Sequence, residues 1–247
     1  MIDPLAEKYH PFSPFAYVAN NPIKFIDPNG QEIWIYYDDA DGNQQKIQYK
    51  QGMEYEGDNA FVSASVSALN QLSKGDFGGQ MIYDLQASDL TYDISKGETN
   101  TASPDFGSIK TEDGVIKTGA NLTWDGGKAI SLGHELGHGY DAMNGYDMRP
   151  DPLNIMPGDD IPAGEIRAVH MENILRSEQG MELRSHYFYK SDGTPQGKTL
   201  VNQKGVEVKF GYDYKNNPKV ERNYGNGYGK KLTKLPALKP KPFRIVK

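Results

Sequence analysis

The residues most able to do chemistry are His134-Glu135-Leu136-Gly137-His138, an H-E-x-x-H motif inside an apolar segment. On a helix, positions i and i+4 lie on one face, so both imidazoles can reach a single ion from the same side. Glu135 then sits beside the open position of that ion, where a general base for an attacking water belongs. The chemistry this points to is zinc-dependent peptide hydrolysis. The blander alternative is a solvated His-Glu-His patch on an ordinary helix. The surroundings argue for the first. A helix is predicted over 126–145, entered after Gly126-Gly127 and stopped at Gly145. Ala129, Ile130, Leu132 and Leu136 give it apolar contacts, so it is expected to be buried. Buried imidazoles and a buried carboxylate need partners, and a metal ion supplies them.

A zinc site of this kind needs a third protein ligand. The chain has no cysteine, which leaves histidine and carboxylates. The extended motif with a third histidine six residues on, and a glycine between, is excluded because those positions hold Asn144 and Asp141. The next helix is predicted over 161–179, opened near Pro162 and closed by Gly180. Glu165 and Glu172 are seven residues apart and share a face with Ala168 and Val169. Glu165 is expected to ligate the metal and Glu172 to hydrogen-bond a ligand histidine, fixing its tautomer. The reverse assignment stays open, and a first-turn carboxylate such as Glu165 is also favoured by the helix dipole alone. His170 falls off that face and reads as structural. Beyond the helix, Arg184 and Tyr187 stand three apart. Together they could aim positive charge and a hydroxyl at the oxyanion of a tetrahedral intermediate.

This order of elements resembles the glutamate-ligand zincins of the clostridial neurotoxin light chains, and more closely NleD-type effector metallopeptidases that bacteria inject into other cells. The matching residues are His134, Glu135 and His138, then Glu165-Ile166-Arg167-Ala168-Val169, then Glu172-Asn173-Ile174-Leu175-Arg176, then Arg184 and Tyr187. The likeness spans 124–189. It implies one Zn2+, Glu135 as general base, and Arg184 with Tyr187 as transition-state stabilisers. Glu165 follows His138 by 27 residues, a shorter interval than in the neurotoxins.

The amino end carries a second, independent likeness. Residues 3–10, and Pro14-Phe15-Ala16-Tyr17-Val18-Ala19-Asn20-Asn21-Pro22-Ile23-Lys24-Phe25-Ile26-Asp27-Pro28-Asn29-Gly30, resemble the terminal segment of RHS-repeat proteins. These are polymorphic toxins whose β-shell encloses a variable carboxy-terminal toxin domain. Pro22 to Gly30 fits the P-x-x-x-x-D-P-x-G junction signature, with Gln31 where leucine usually follows. The likeness implies that a toxin domain comes next, that a long upstream protein precedes Met1, and that a cognate immunity protein is a candidate partner.

With 247 residues and 37% hydrophobic content, one core with appendages is expected. No 18-residue apolar run marks a membrane span, and no signal peptide is visible in this stretch. The net charge of −6 is uneven, because 204–247 holds 12 basic and 3 acidic residues. A basic tail suits acidic partners or the acidic body of its own chain. No nucleic-acid partner is expected, since no histidine–asparagine nuclease motif is present.

A hairpin is expected from 32–38 and 45–49, a helix over 59–73 capped by Asp58 and stopped by Gly75, and strands at 90–94, 121–124 and 206–212. The 121–124 strand is expected at the sheet edge, where a substrate could add by backbone pairing. Residues 99–118 read as loop.

The predicted fold is α+β and zincin-like, with a mixed sheet, the motif helix and a second, glutamate-bearing helix. The predicted organisation is an RHS segment at 1–30, a metallopeptidase toxin domain at 31–225 and a basic tail at 226–247. The expected function is a zinc endopeptidase, secreted or delivered into a target cell, that cleaves an intracellular protein there. The competing expectation is a non-catalytic interaction module with a structural metal site.

Overall fold

The structure is a computed structural model that describes residues 32–110, 112, 116–146 and 161–215. The junction segment and the basic tail lie outside the described residues. Where the chain is described, β1 (Ile33–Asp38) and β2 (Gln44–Tyr49) form the expected hairpin. Then come α1 (Ala60–Leu72), α2 (Asp76–Gln86), β3 (Tyr92–Lys96), β4 (Thr101–Lys110), β5 (Ile116–Trp124), α3 (Ala129–Met143), α4 (Ala163–Glu178), and a separate hairpin of β6 (His186–Tyr189) and β7 (Pro195–Thr199). The first five strands make one sheet in the order β2-β1-β3-β5-β4. It is mixed: β1, β3 and β5 run parallel to one another, and β2 and β4 flank them antiparallel at the two edges. The molecule is therefore α+β, as its element pattern predicts.

The sheet buries one face only. In β1, Ile33 and Ile35 are fully buried while Trp34 and Tyr36 between them are half-exposed, the period-2 alternation of a one-sided strand. Tyr92, Ile94, Ala120, Leu122 and Trp124 continue the buried face, and α1, α2 and α3 supply Val62, Leu69, Phe77, Ile82, Leu132 and Leu136 against it.

Several local readings are corrected by the packing. The cap of α1 is Asn59, not Asp58: its Oδ1 accepts from the backbone N–H groups of Phe61 and Val62. Gly75 does not simply end α1, because it is the N-cap of α2. The stretch 99–118, expected as loop, contains β4 and the start of β5. Pro104 and the register shift between Pro104 and Ser108 made it look irregular, yet a proline and a bulge are tolerated on an outer strand. In consequence 121–124 is not at the edge. It lies in β5 between β3 and β4, and the free edge on that side is β4. The expected strand at 206–212 is reduced to isolated bridges, Val201 with Glu207 and Val206 with Asp213.

Two features place the motif helix. Gly126 takes φ 81°, a conformation glycine reaches without strain, and Asp125 Oδ1 accepts from Gly127 N at 2.9 Å. That turn swings the chain from β5 straight into α3. Then Gly133 and Gly137, one turn apart, let α4 approach α3 closely. A Cβ at Gly133 would fall 2.7 Å from Leu175 Cδ1, and one at Gly137 3.3 Å from Met171 Cε. Near the far end of α3, Asp141 pairs with Arg167 Nε at 2.5 Å, both side chains buried, and Arg167 stacks 4.5 Å from the centre of the Tyr146 ring. The position that the extended histidine motif gives to glycine here ties α3 to α4.

The close approach has a measurable sign. Filling a mid-helix glycine ordinarily stabilises a helix. Gly133→Val is instead expected to lower the unfolding free energy by about 1–3 kcal/mol by overpacking the α3–α4 contact. Urea denaturation monitored by circular dichroism checks it, and an unchanged or higher midpoint would show that the glycine is not needed for packing.

Candidate metal centre

Helix α3 presents His134, Glu135 and His138, and α4 presents Glu165 and Glu172 towards them. His134, Glu135 and His138 are each less than a tenth exposed. The structure brings His134, His138 and Glu165 together with one potential ligand atom from each within 4.8 Å of the others. Glu165 Oε2 stands 3.2 Å from His134 Nε2 and 3.4 Å from His138 Nε2. These separations carry chemical information. A charge-assisted hydrogen bond between imidazolium and carboxylate would be about 2.7–2.9 Å. Ligands around a tetrahedral zinc, each about 2.0–2.1 Å from the ion, are spaced about 3.3 Å along the tetrahedron edge. The contacts match the spacing of co-ligands, and two imidazoles and a carboxylate, with no thiolate available in the chain, fit a divalent cation.

Glu172 occupies a different place. Its Oε2 lies 3.0 Å from Nδ1 of His134, the ring nitrogen facing away from the cluster. The same oxygen accepts from an Arg184 terminal nitrogen at 2.9 Å, and Oε1 accepts from Arg176 Nε at 2.7 Å. With Nδ1–H donating to Glu172, Nε2 of His134 is left free to ligate.

All three guanidinium nitrogens of Arg184 hydrogen-bond to their own surroundings. One terminal nitrogen serves Glu172, the other donates to the Tyr187 carbonyl at 2.7 Å, and Nε reaches the His186 carbonyl at 3.3 Å. Its backbone is clamped by Asn173, whose Oδ1 accepts from Arg184 N at 2.6 Å while Nδ2 donates to Arg184 O at 2.9 Å. Arg176 and Asn173 were quoted in the sequence only as part of a resemblance. The i, i+4 spacing of Glu172 and Arg176 was the legible signal for the first, and nothing local signalled the second. Tyr187 and Glu135 line the same cleft, of roughly 500 Å³, with His134 and Glu172. His170 is elsewhere: buried, 2.6 Å from the Tyr214 hydroxyl and stacked near Phe210, it is structural as its position on the helix suggested.

Burial and neighbours divide the titrating groups. Burial pushes the Glu135 carboxyl up, against the opposing pull of the two histidines. Glu165 and Glu172 are driven down despite burial, Glu165 by its two histidines and Glu172 by His134 and the two arginines. Burial opposes charge on His134, but hydrogen bonds to Glu165 and Glu172 outweigh it and raise its pKa to about 9. The Tyr187 hydroxyl is pushed up by burial and by the Glu165 carboxylate, so it remains a donor.

The Peptidase_M91 family model, described as effector protein, matches residues 49–187. The match spans more than half of the chain, and the chain belongs to this family of effector peptidases. No curated protein matches it, and no solved structure does.

The pKa directions predict a proton linkage. In metal-free protein, protonated His134 contributes stability that is full below its ordinary value near 6.5 and is lost as pH rises through about 9. The lowered Glu165 and Glu172 contribute above their ordinary value near 4.5 and lose that contribution as pH falls. The cluster's contribution is therefore greatest between about pH 4.5 and 6.5. A divalent cation bound at Nε2 at pH 7 would displace the His134 proton, so release of about one proton per ion and an affinity that rises with pH towards 9 are expected. Titration calorimetry in two buffers of different ionisation enthalpy measures this. Binding without proton release would contradict it.

Proposed function

We propose that this effector peptidase is a zinc-dependent endopeptidase, with His134, His138 and Glu165 as the metal ligands. The observation that carries the reading is the Nε2–Oε2 spacing of 3.2 and 3.4 Å with Glu135 alongside in one cleft. Bound there, the ion would polarise the scissile carbonyl and acidify a water in its open position. The protein's own residues do the rest. Glu135 accepts the proton of the attacking water and returns it to the leaving nitrogen, a task eased by a carboxyl whose pKa burial has raised. Tyr187 donates its hydroxyl to the oxyanion of the tetrahedral intermediate. Arg184 adds positive charge nearby and acts chiefly by holding Glu172 and the Tyr187 backbone in place. Glu172 keeps His134 in the ligating tautomer.

The wider setting follows from the two ends of the chain and the family. The chain carries an RHS-type junction at 1–30, a peptidase toxin domain at 31–225 and a basic tail at 226–247. It acts as the toxin of a polymorphic toxin system, delivered into a target cell to cleave an intracellular protein, with a cognate immunity protein as its counterpart. Its substrate is an extended polypeptide, and the outer edge of β4 is the sheet edge open to backbone pairing. Among the described residues no helix is long and apolar enough to cross a membrane.

Metal analysis of purified protein, with Glu165→Ala and Glu172→Ala beside it, tests the ligand set. The wild type is expected to hold about one zinc per chain, Glu165→Ala to lose it, and Glu172→Ala to bind it roughly 10–100-fold more weakly. Glu135→Gln is expected to keep the metal and lose proteolysis. A fully active Glu135→Gln protein would sink the assignment, and a wild type that takes up no zinc would favour a non-catalytic module.

A further inference from the structure

We propose that Asn100 is a substrate-binding residue, its side-chain amide donating to a backbone carbonyl of the peptide held in the cleft. The inference deepens the peptidase reading and rests on it. A peptide segment withdrawn from water needs donors for its carbonyl groups, because each one left unpaired weakens binding. The two arginines of the cleft spend several of their donors on internal bonds. Arg176 Nε and an Arg184 terminal nitrogen serve Glu172, and the remaining Arg184 nitrogens serve the carbonyls of His186 and Tyr187. Asn100 lines the same cleft as Ser131, His134 and Glu135, so it belongs to the cavity that holds the proposed general base.

Its orientation is set by the fold. Asn100 ends the short connection from β3 to β4, and that connection is pinned to the end of β5. Gly97 N donates to Trp124 O at 3.1 Å, Thr123 Oγ1 donates to Thr99 O at 2.9 Å, and Asp125 N donates to Asn100 Oδ1 at 2.9 Å. The last bond decides which end of the amide is which. Oδ1 must be the atom on the Asp125 N–H, so the NH2 group is the other end of the side chain. Among the described residues that NH2 group donates to nothing. A half-buried side chain in the cleft lining, oriented by the Asp125 N–H, can offer this donor to a ligand carbonyl at little ordering cost.

The competing explanation is that Asn100 merely pins the turn into α3. Aspartate would do that equally well, since only the oxygen is used for it. Asn100→Asp therefore separates the two roles: it keeps the acceptor and deletes the donor.

The test uses the zinc-loaded full chain and two probes that share one chelating group, acetohydroxamate and acetyl-tetraalanine hydroxamate. Wild type is expected to bind the peptidyl probe more tightly, through backbone contacts. Asn100→Asp is expected to weaken the peptidyl probe by roughly 5–20-fold while acetohydroxamate changes little. Three results would overturn the proposal: equal affinity of the two probes for wild type, unchanged peptidyl affinity in Asn100→Asp, or equal weakening of both probes. Binding of neither probe to wild type would instead remove the peptidase reading and this inference with it.

Discussion

The structure depends on one buried carboxylate. Glu172 is almost wholly withdrawn from water, and three elements meet on it: His134 from α3, Arg176 from its own helix, and Arg184 from the segment leading to β6. An isolated carboxylate at that depth would be prohibitively expensive, and removing one partner of a buried pair costs about 3–5 kcal/mol. The charge therefore recruits its surroundings. It fixes the ring of His134, holds Arg184 in one rotamer, and through Arg184 fixes the backbone of Tyr187. The groups of the candidate site are thus assembled around one buried charge network.

The same helix pair gives three nearby carboxylates three different characters. Glu165 faces two imidazoles and stays ionised, as a ligand must. Glu172 is ionised by its arginines and His134. Glu135 has only its histidine neighbours to oppose a dominant burial cost, and its pKa rises, which suits a group that takes and gives protons. Separation of roles among chemically equivalent side chains is thus a matter of which partners the packing supplies.

That packing has a backbone cause. Glycines at 133 and 137 permit the close approach of α4, and the buried Asp141–Arg167 pair locks the two helices near the far end of α3. The result places residues 27 and 34 positions beyond His138 on either side of the ring of His134.

The sequence by itself determined the motif helix and the placing of its two imidazoles, because a 3.6-residue period puts His134 and His138 on one face whatever surrounds them. It also determined the second helix with Glu165 and Glu172 on one side, and the β1–β2 hairpin. Tertiary structure alone decided the rest. Which glutamate faces Nε2 and which faces Nδ1 of His134 depends on the angle and closeness of two helices, and spacing within α4 cannot encode that. Arg184 lands on Glu172 because a distant backbone clamp from Asn173 turns it there. Residues 101–110 form an outer strand against the pull of Pro104 because β5 offers them a row of hydrogen-bonding partners. Asn100 becomes a cleft residue only when that strand has paired and Asp125 has fixed its amide. Local period is written in the order of the residues, whereas the contacts that complete this site join segments far apart in the chain and exist only once the core has formed.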